Sequence, residues 1–354
     1  MKKSYIAVSA GLLGLTSLAH AQSSVTLYGV VDAAVTYVHA SGQGNKFSMD
    51  SSGLNSAVYG MTGTEDLGGG LSANFTLEGD INPPSGTGGT TGVNNQTTSS
   101  AIFGRRSFVS LKSETFGEVR LGRDYTTTYL SNAIYDPFTD LGIGSAAPLQ
   151  LTYAGVPSVR TSNSVFYLTP DTLGGFFGEA EYAFGNNPID MTDGTGHDGD
   201  FAGVRLGYEG HGANAAVAYS KATFEGGDVR EFNAGGTYDF KIIKAYALYQ
   251  QASVGGPAAA TQSTTLLGGI IPIGVNAVRF SAIRFHEHGD SSLDALKFTV
   301  GYIYNLSKRT QLYGTYSFLG NHKNATNGLQ QDEFLVPSAG GTVNGAQIGI
   351  STKF

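Results

Sequence analysis

The chain has 354 residues, with 51 Gly, 19 Tyr and 20 Phe but no Cys and no Trp. Glycine stands at about twice its ordinary share, and charged residues, at 14%, fall well below the quarter usual in soluble domains. A hydrophobic content of 40% excludes a disordered chain, the lack of cysteine excludes a disulfide framework and thiolate metal sites, and the net charge of −7 argues against a nucleic-acid partner.

In chain order, Lys2 and Lys3 precede a short apolar stretch from Tyr5 to Leu18 that ends at Ala19-His20-Ala21. This is the layout of a secretory signal, too short for the roughly 20 residues of a spanning helix. Cleavage after Ala21 is expected, so residues 1–21 are a signal peptide and 22–354 a single domain. Removal of the two lysines leaves 19 basic against 28 acidic residues, a charge of −9.

Beyond that point no segment carries a sustained 3.6-residue apolar period. Alternation with period two recurs instead. Val25, Leu27, Gly29, Val31, Ala33, Val35 and Tyr37 share one face of a strand while Thr26, Tyr28, Asp32 and Thr36 share the other. The same rhythm runs through Leu71–Glu78, Ala202–Glu209 and Ala346–Phe354. About sixteen strands are expected, starting near 25, 56, 71, 101, 116, 160, 175, 201, 213, 231, 241, 264, 275, 293, 309 and 345.

Tight turns, such as Leu67-Gly68-Gly69-Gly70 and Asn305-Leu306-Ser307-Lys308, alternate with longer loops near 39–55, 79–100, 124–158, 185–200, 251–263 and 319–344. Short connections at one end and long ones at the other fit an outer-membrane barrel. A sheet of about sixteen strands closed on itself is too wide for side chains to fill. The polar faces must then line water and the apolar faces meet lipid, which gives an all-β transmembrane antiparallel barrel. Aromatics near strand ends, including Phe176-Phe177, Tyr182–Phe184, Tyr302–Tyr304, Tyr313–Phe318 and Phe354, are expected to form the interfacial girdles.

Several short motifs, in one order along the chain, are similar to those of the general porins of Gram-negative bacteria, especially the beta-proteobacterial type. They are Ser24–Gly29, Gly63-Thr64-Glu65-Asp66-Leu67-Gly68, Phe103-Gly104-Arg105-Arg106-Ser107-Phe108-Val109, Gly122-Arg123-Asp124-Tyr125, Asp136-Pro137-Phe138, Arg160–Val165 and Leu306–Thr310 with Tyr313. The resemblance implies a homotrimer in outer-membrane lipid and lipopolysaccharide, passing ions and small hydrophilic solutes by passive diffusion. It also implies that the third long loop, Asp124 to about Ser158, folds inward. That loop holds Tyr129, Leu130, Ile134, Tyr135, Phe138, Leu141 and Ile143, poorly suited to stand free in water. By the family pattern, basic wall positions Arg105, Arg123 and Arg160 face Asp136 and Asp140 of the loop, with Glu78 joining the acidic side, and opposed charges in a narrow passage select ions. Relatives commonly carry Arg or Lys just before Gly60 and Gly63, where this chain has Val58 and Thr62; with the charge of −9, weaker anion preference than the family type, extending to mild cation preference, is expected.

A competing reading from another class is a surface adhesin or phage receptor whose long loops bind a partner. Enzyme chemistry has no visible machinery, since neither a GxSxG elbow nor a Cys/His pair is present, and no cofactor is expected. His286-Glu287-His288 lacks the i, i+4 spacing of a zinc helix and has no third ligand. Asp190, Asp193, Asp198 and Asp200, with Gly194, Gly196 and Gly199, read as an acidic surface loop in preference to a calcium site.

Overall fold

The computed structural model describes residues 24–88, 90–93, 96–146, 159–187, 195–257, 259–329 and 335–354, with backbone alone for 90–93 and 96–100. The expected signal segment and Asp190, Asp193 and Gly194 lie outside the described residues. The strands are β1 (Ser24–Ala40), β2 (Gly44–Ser51), β3 (Val58–Gly68), β4 (Leu71–Asp80), β5 (Thr90–Val93), β6 (Gln96–Ser100), β7 (Arg106–Ser113), β8 (Gly117–Tyr125), β9 (Arg160–Leu168) and β10 (Phe176–Ala183). They continue as β11 (Phe201–Gly210), β12 (Ala213–Ala222), β13 (Val229–Asp239), β14 (Lys244–Val254), β15 (Ala260–Ile273), β16 (Asn276–Glu287), β17 (Ala295–Asn305), β18 (Thr310–Asn321) and β19 (Thr342–Lys353).

Strands β5 and β6 pair with each other as a separate hairpin in the connection from β4 to β7. The other seventeen form one sheet in which β2 and β3 both pair with β1, along Ala33–Ala40 and Ser24–Val30 respectively. These two are therefore lengths of one wall strand interrupted at 52–57, and the wall has sixteen antiparallel strands. Closure comes from β1 against β19, from Val30↔Lys353 to Ala40↔Val343. All but one of the sixteen begin within five residues of the position read from alternation, with Arg106 against 101 the largest offset among them. The exception is the second wall strand, which begins at Gly44 with β2, and only its second length, β3 from Val58, meets the expected start near 56.

Two expected loops are corrected. Residues 39–55 hold the top of β1, a short turn and β2, and 251–263 are mostly strand, with β14 running to Val254 and β15 starting at Ala260. Polar residues such as Asn45, Lys46, Ser48 and Asp50 make the composition of β2 read as a loop, although its backbone is paired and Phe47 and Met49 alternate on its outer face.

The side chains sort by strand parity. Leu27, Val35, Leu206, Leu267, Ile348 and Ile350 are exposed on the outside, whereas Asp32, Arg205, Asn233, Lys297 and Gln347 are buried within. Phe176, Tyr182, Tyr302, Tyr304, Tyr316, Phe318 and Phe354 are exposed as expected of girdle residues. Two aromatics assigned to that set turn inward instead, because alternation puts them on the lumen face: the Tyr313 hydroxyl donates to Asp32 Oδ1 at 2.7 Å, and Phe177 lies 4.6 Å from the Arg205 guanidinium.

Outward Val300 sits midway along β17, where hydrocarbon is thickest. Val300→Arg should lower folding stability by about 2–4 kcal/mol in urea titrations of vesicle-inserted barrel, the cost of a charge facing the bilayer midplane.

Candidate pore constriction

The connection after β8 turns into the lumen. Its first turn is a helix, α1 (Thr127–Ile134), capped by Thr126, whose hydroxyl accepts from Tyr129 N at 3.2 Å. No apolar period announces this helix because its wall-facing side is polar: Thr127, Thr128, Ser131 and Asn132 are buried. Thr127 N donates to Glu181 Oε2 (2.6 Å), Arg205 Nε to Ser131 Oγ (3.1 Å), and Asn233 Nδ2 to Thr128 O (2.9 Å). The helix is thus hydrogen-bonded onto strands β10 to β13, a docking mode suited to a wall that is itself polar.

The apolar residues follow. Tyr135, Phe138 and Ile143 are sealed completely, while Ile134 remains exposed. Gly142, at φ +60°, packs its α-carbon where a β-carbon would meet Gly53 O at 2.6 Å. Gly53 belongs to the 52–57 interruption, which Asp32 pulls inward by accepting from Gly53 N (2.9 Å), Leu54 N (3.3 Å) and Asn55 N (3.0 Å). The constriction loop therefore rests on a second inward segment. Its remainder, 147–158, lies outside the described residues.

The loop acids differ in role. Asp136 is fully buried, and its carboxylate accepts from Phe138 N (2.8 Å), Asp140 N (3.1 Å) and Ala146 N (3.2 Å). Burial raises its pKa, against those three donors and the Lys297 charge. The family pattern would have it face the wall arginines; it instead brackets the loop from within. Asp140 is partly exposed and accepts from Ser145 Oγ at 2.9 Å.

On the wall, the guanidinium groups of Arg105, Arg106 and Arg160 lie 5.7, 5.2 and 4.7 Å from the Tyr125 ring, which stacks on Tyr129 of α1 at 5.4 Å. Arg105 donates to Glu78 Oε1 and Asp80 Oδ1, each at 2.8 Å, and to the Tyr125 hydroxyl. Arg106 donates to Asp124 (2.8 Å), and Arg120 to Glu118 (2.8 Å) and Asp124 (2.9 Å). Arg123 reaches Gly104 O and Ser162 Oγ, both at 2.7 Å. The structure so brings Arg105, Arg123, Arg160 and Glu78 to one side of the lumen.

Arg106, Arg120, Tyr125 and Asp80 belong to this group and were not singled out from sequence. Strict alternation assigns neighbours such as Arg105 and Arg106, or Arg123 and Asp124, to opposite faces. Arg105 precedes the regular strand, and the β8–β9 register shifts between Gly122 and Asp124. Gly122 has φ +139°, and a β-carbon there would lie 2.2 Å from Ser107 O, so glycine is required. A bulge of this kind re-aims consecutive side chains, and its one sequence signal is the glycine.

The set-aside signals sit on strand ends and outer loops. His286 Nδ1 lies 2.8 Å from Asp294 Oδ1, and the Asp198 and Asp200 carboxylates accept from Glu225 N (2.7 Å) and Gly185 N (2.7 Å).

A closed sixteen-strand barrel with an apolar exterior, a polar interior and a loop narrowing the passage defines an outer-membrane diffusion channel, not an enzyme. The Gram-negative porin family model matches residues 7–324, and the chain belongs to that family. It is 36% identical to outer membrane porin protein 32 of Delftia acidovorans over the full length of both chains, and 30% identical to an outer membrane porin protein of Bordetella pertussis over 91% of this chain and 95% of that one. Among solved structures, the anion-selective porin from Comamonas acidovorans superposes with TM-score 0.81 at 33% identity, covering 94% of this chain and all of that one. OmpF of Salmonella typhi shares the fold at TM-score 0.62 and 16% identity, over 93% and 97% of the two chains.

Asp136→Asn would leave buried backbone N–H groups facing an amide, at a cost of about 1–3 kcal/mol for each donor left unsatisfied. Amide hydrogen exchange across 136–146 should accelerate while the barrel still migrates as a folded, heat-modifiable band.

Proposed function

We propose that Arg105, Arg123, Arg160 and Glu78, with Arg106, Arg120 and Asp80 beside them and Asp140 on the loop, form the selective constriction of this porin, and that it retains a modest anion preference. The observation that carries the reading is how the ion pairs are layered. The Arg106 side chain is 31% exposed over an Asp124 at 4%, and Arg120 is 20% exposed over Glu118 at 11%. At these two pairs a solute in the lumen meets the guanidinium face first and the carboxylate behind it, so the mature charge of −9 is a poor guide to the field there. At Arg105, 12% exposed beside Asp80 at 26%, the carboxylate is the more open partner and keeps the preference modest.

Val58 and Thr62 temper the effect. They pair with Asp80 and Thr76 on the lumen side of β3 and β4, so the basic wall starts only at Arg105. The relative from Comamonas acidovorans is described as anion-selective; this chain is expected to select in the same sense but less strongly.

The finer assembly is proposed with it: a homotrimer, as the Vibrio cholerae OmpT of the same fold is in one solved form, with its apolar band in outer-membrane lipid and its long loops among lipopolysaccharide. Ions and small hydrophilic solutes are its cargo. Residues 1–21 are proposed to be cleaved, giving an outer-membrane chain that mass spectrometry would find starting at Gln22.

Reversal potentials in a KCl gradient across a planar bilayer test the selectivity. A small anion-selective potential is expected, Val58→Arg should enlarge it, and the double change Arg106→Gln with Arg160→Gln should reduce or invert it. Cation selectivity in the unmodified channel would refute the reading.

A further inference from the structure

Lys297 is an unusual residue for its surroundings. It lies on β17 between Ile283 of β16 and Leu319 of β18 in the strand register, both completely buried, and is itself completely buried. An ammonium in such a place is costly unless hydrogen bonds replace its water. Two main-chain carbonyls do so: Nζ donates to Ser145 O at 2.6 Å and to Leu329 O at 3.2 Å. Ser145 belongs to the constriction loop and Leu329 to the long outer connection between β18 and β19. The two segments are distant in sequence and meet on this one cation.

Neighbouring contacts reinforce the joint. Ser317 Oγ on β18 donates to Ile143 O at 2.7 Å and shares a 2.8 Å hydrogen bond with Thr299 Oγ1 of β17. The charges of Asp136 and Asp140, both on the constriction loop, act favourably on Lys297.

We propose that Lys297 is a positioning residue that clamps the constriction loop to the barrel wall and couples it to the outer β18–β19 loop, so that displacement of the outer loop loosens the aperture. The alternative to closure is a stranded ammonium in an apolar cluster, so the clamp penalises outward movement of either loop. The inference rests on reading the 125–146 segment as the constriction, and it adds a determinant of that segment's position to the residues that set its charge.

The chain contains no cysteine, so a single introduced thiol reports one place. Ser145→Cys leaves the main-chain carbonyl that Lys297 uses. In the refolded trimer its modification by a small methanethiosulfonate reagent should be slow, since position 145 is buried. Adding Lys297→Met should raise the modification rate about tenfold or more, as expected for a local opening equilibrium, and should add rapid flicker to single-channel records. An unchanged rate would overturn the proposal. If Met at 297 prevents refolding, excision of residues 327–329 in the Ser145→Cys chain removes the Leu329 carbonyl while leaving the wall intact. Faster modification is again expected, and parent-like modification would overturn the coupling. Faster modification with parental conductance and reversal potential would instead keep the clamp and reject the loop as the selective constriction.

Discussion

Hydrocarbon offers no partner to a backbone N–H or C=O, and the rest of this protein follows from that. Every strand crossing the bilayer must be paired on both sides, so the sheet must close, as it does where β1 meets β19. Closure at sixteen strands leaves a lumen that wall side chains cannot fill. Alternation then commits half of each strand's side chains to water or to one another. A soluble protein of this length would place its Leu and Ile inside; here Leu206, Leu267 and Ile350 are outside, and Arg205, Asn233 and Gln347 are within.

A polar interior changes how a loop can be held there. Helix α1 uses threonine, serine and asparagine against the wall, because the wall presents Glu181, Arg205 and Asn233. Farther along, the loop passes onto an apolar cluster in which its own Tyr135 and Ile143 pack, with Lys297 and Ser317 holding its carbonyls beside it. The loop thus has two docking regimes, hydrogen-bonded first and apolar second, with Asp136 organising the bend from inside.

The number of wall strands, most of their positions, the closed architecture and the inward loop were legible in the sequence, because membrane strands have a two-residue period and the family motifs recur in order. What was not legible has identifiable causes. The hairpin of β1 with β2 was hidden because Asn45, Lys46, Ser48 and Asp50 make the segment polar in composition, although Phe47 and Met49 alternate on its outer face. The lumen side chains next to Gly122 were hidden because a bulge breaks parity. Asp136 is expected at the pore because the family motif carries it there, whereas three backbone donors at 2.8 to 3.2 Å make it an internal bracket. The burial of Lys297 has no local sequence signal, since its face is covered by segments more than 30 and 150 positions away.

Charge counting fails for the same reason that these residues were misread. A carboxylate contributes to the field in a pore according to how much solvent screens it and how near an ion can approach. Asp124 lies beneath two arginines, and Asp136 lies inside its own loop. Acids so placed fix the arginines and the backbone in position, and at Asp124 the Arg106 and Arg120 side chains are the more exposed partners. Under the proposed constriction, Asp124 and Asp136 therefore count as scaffold, while Asp80 and Asp140, more open to the lumen, still act on a passing ion beside the arginines.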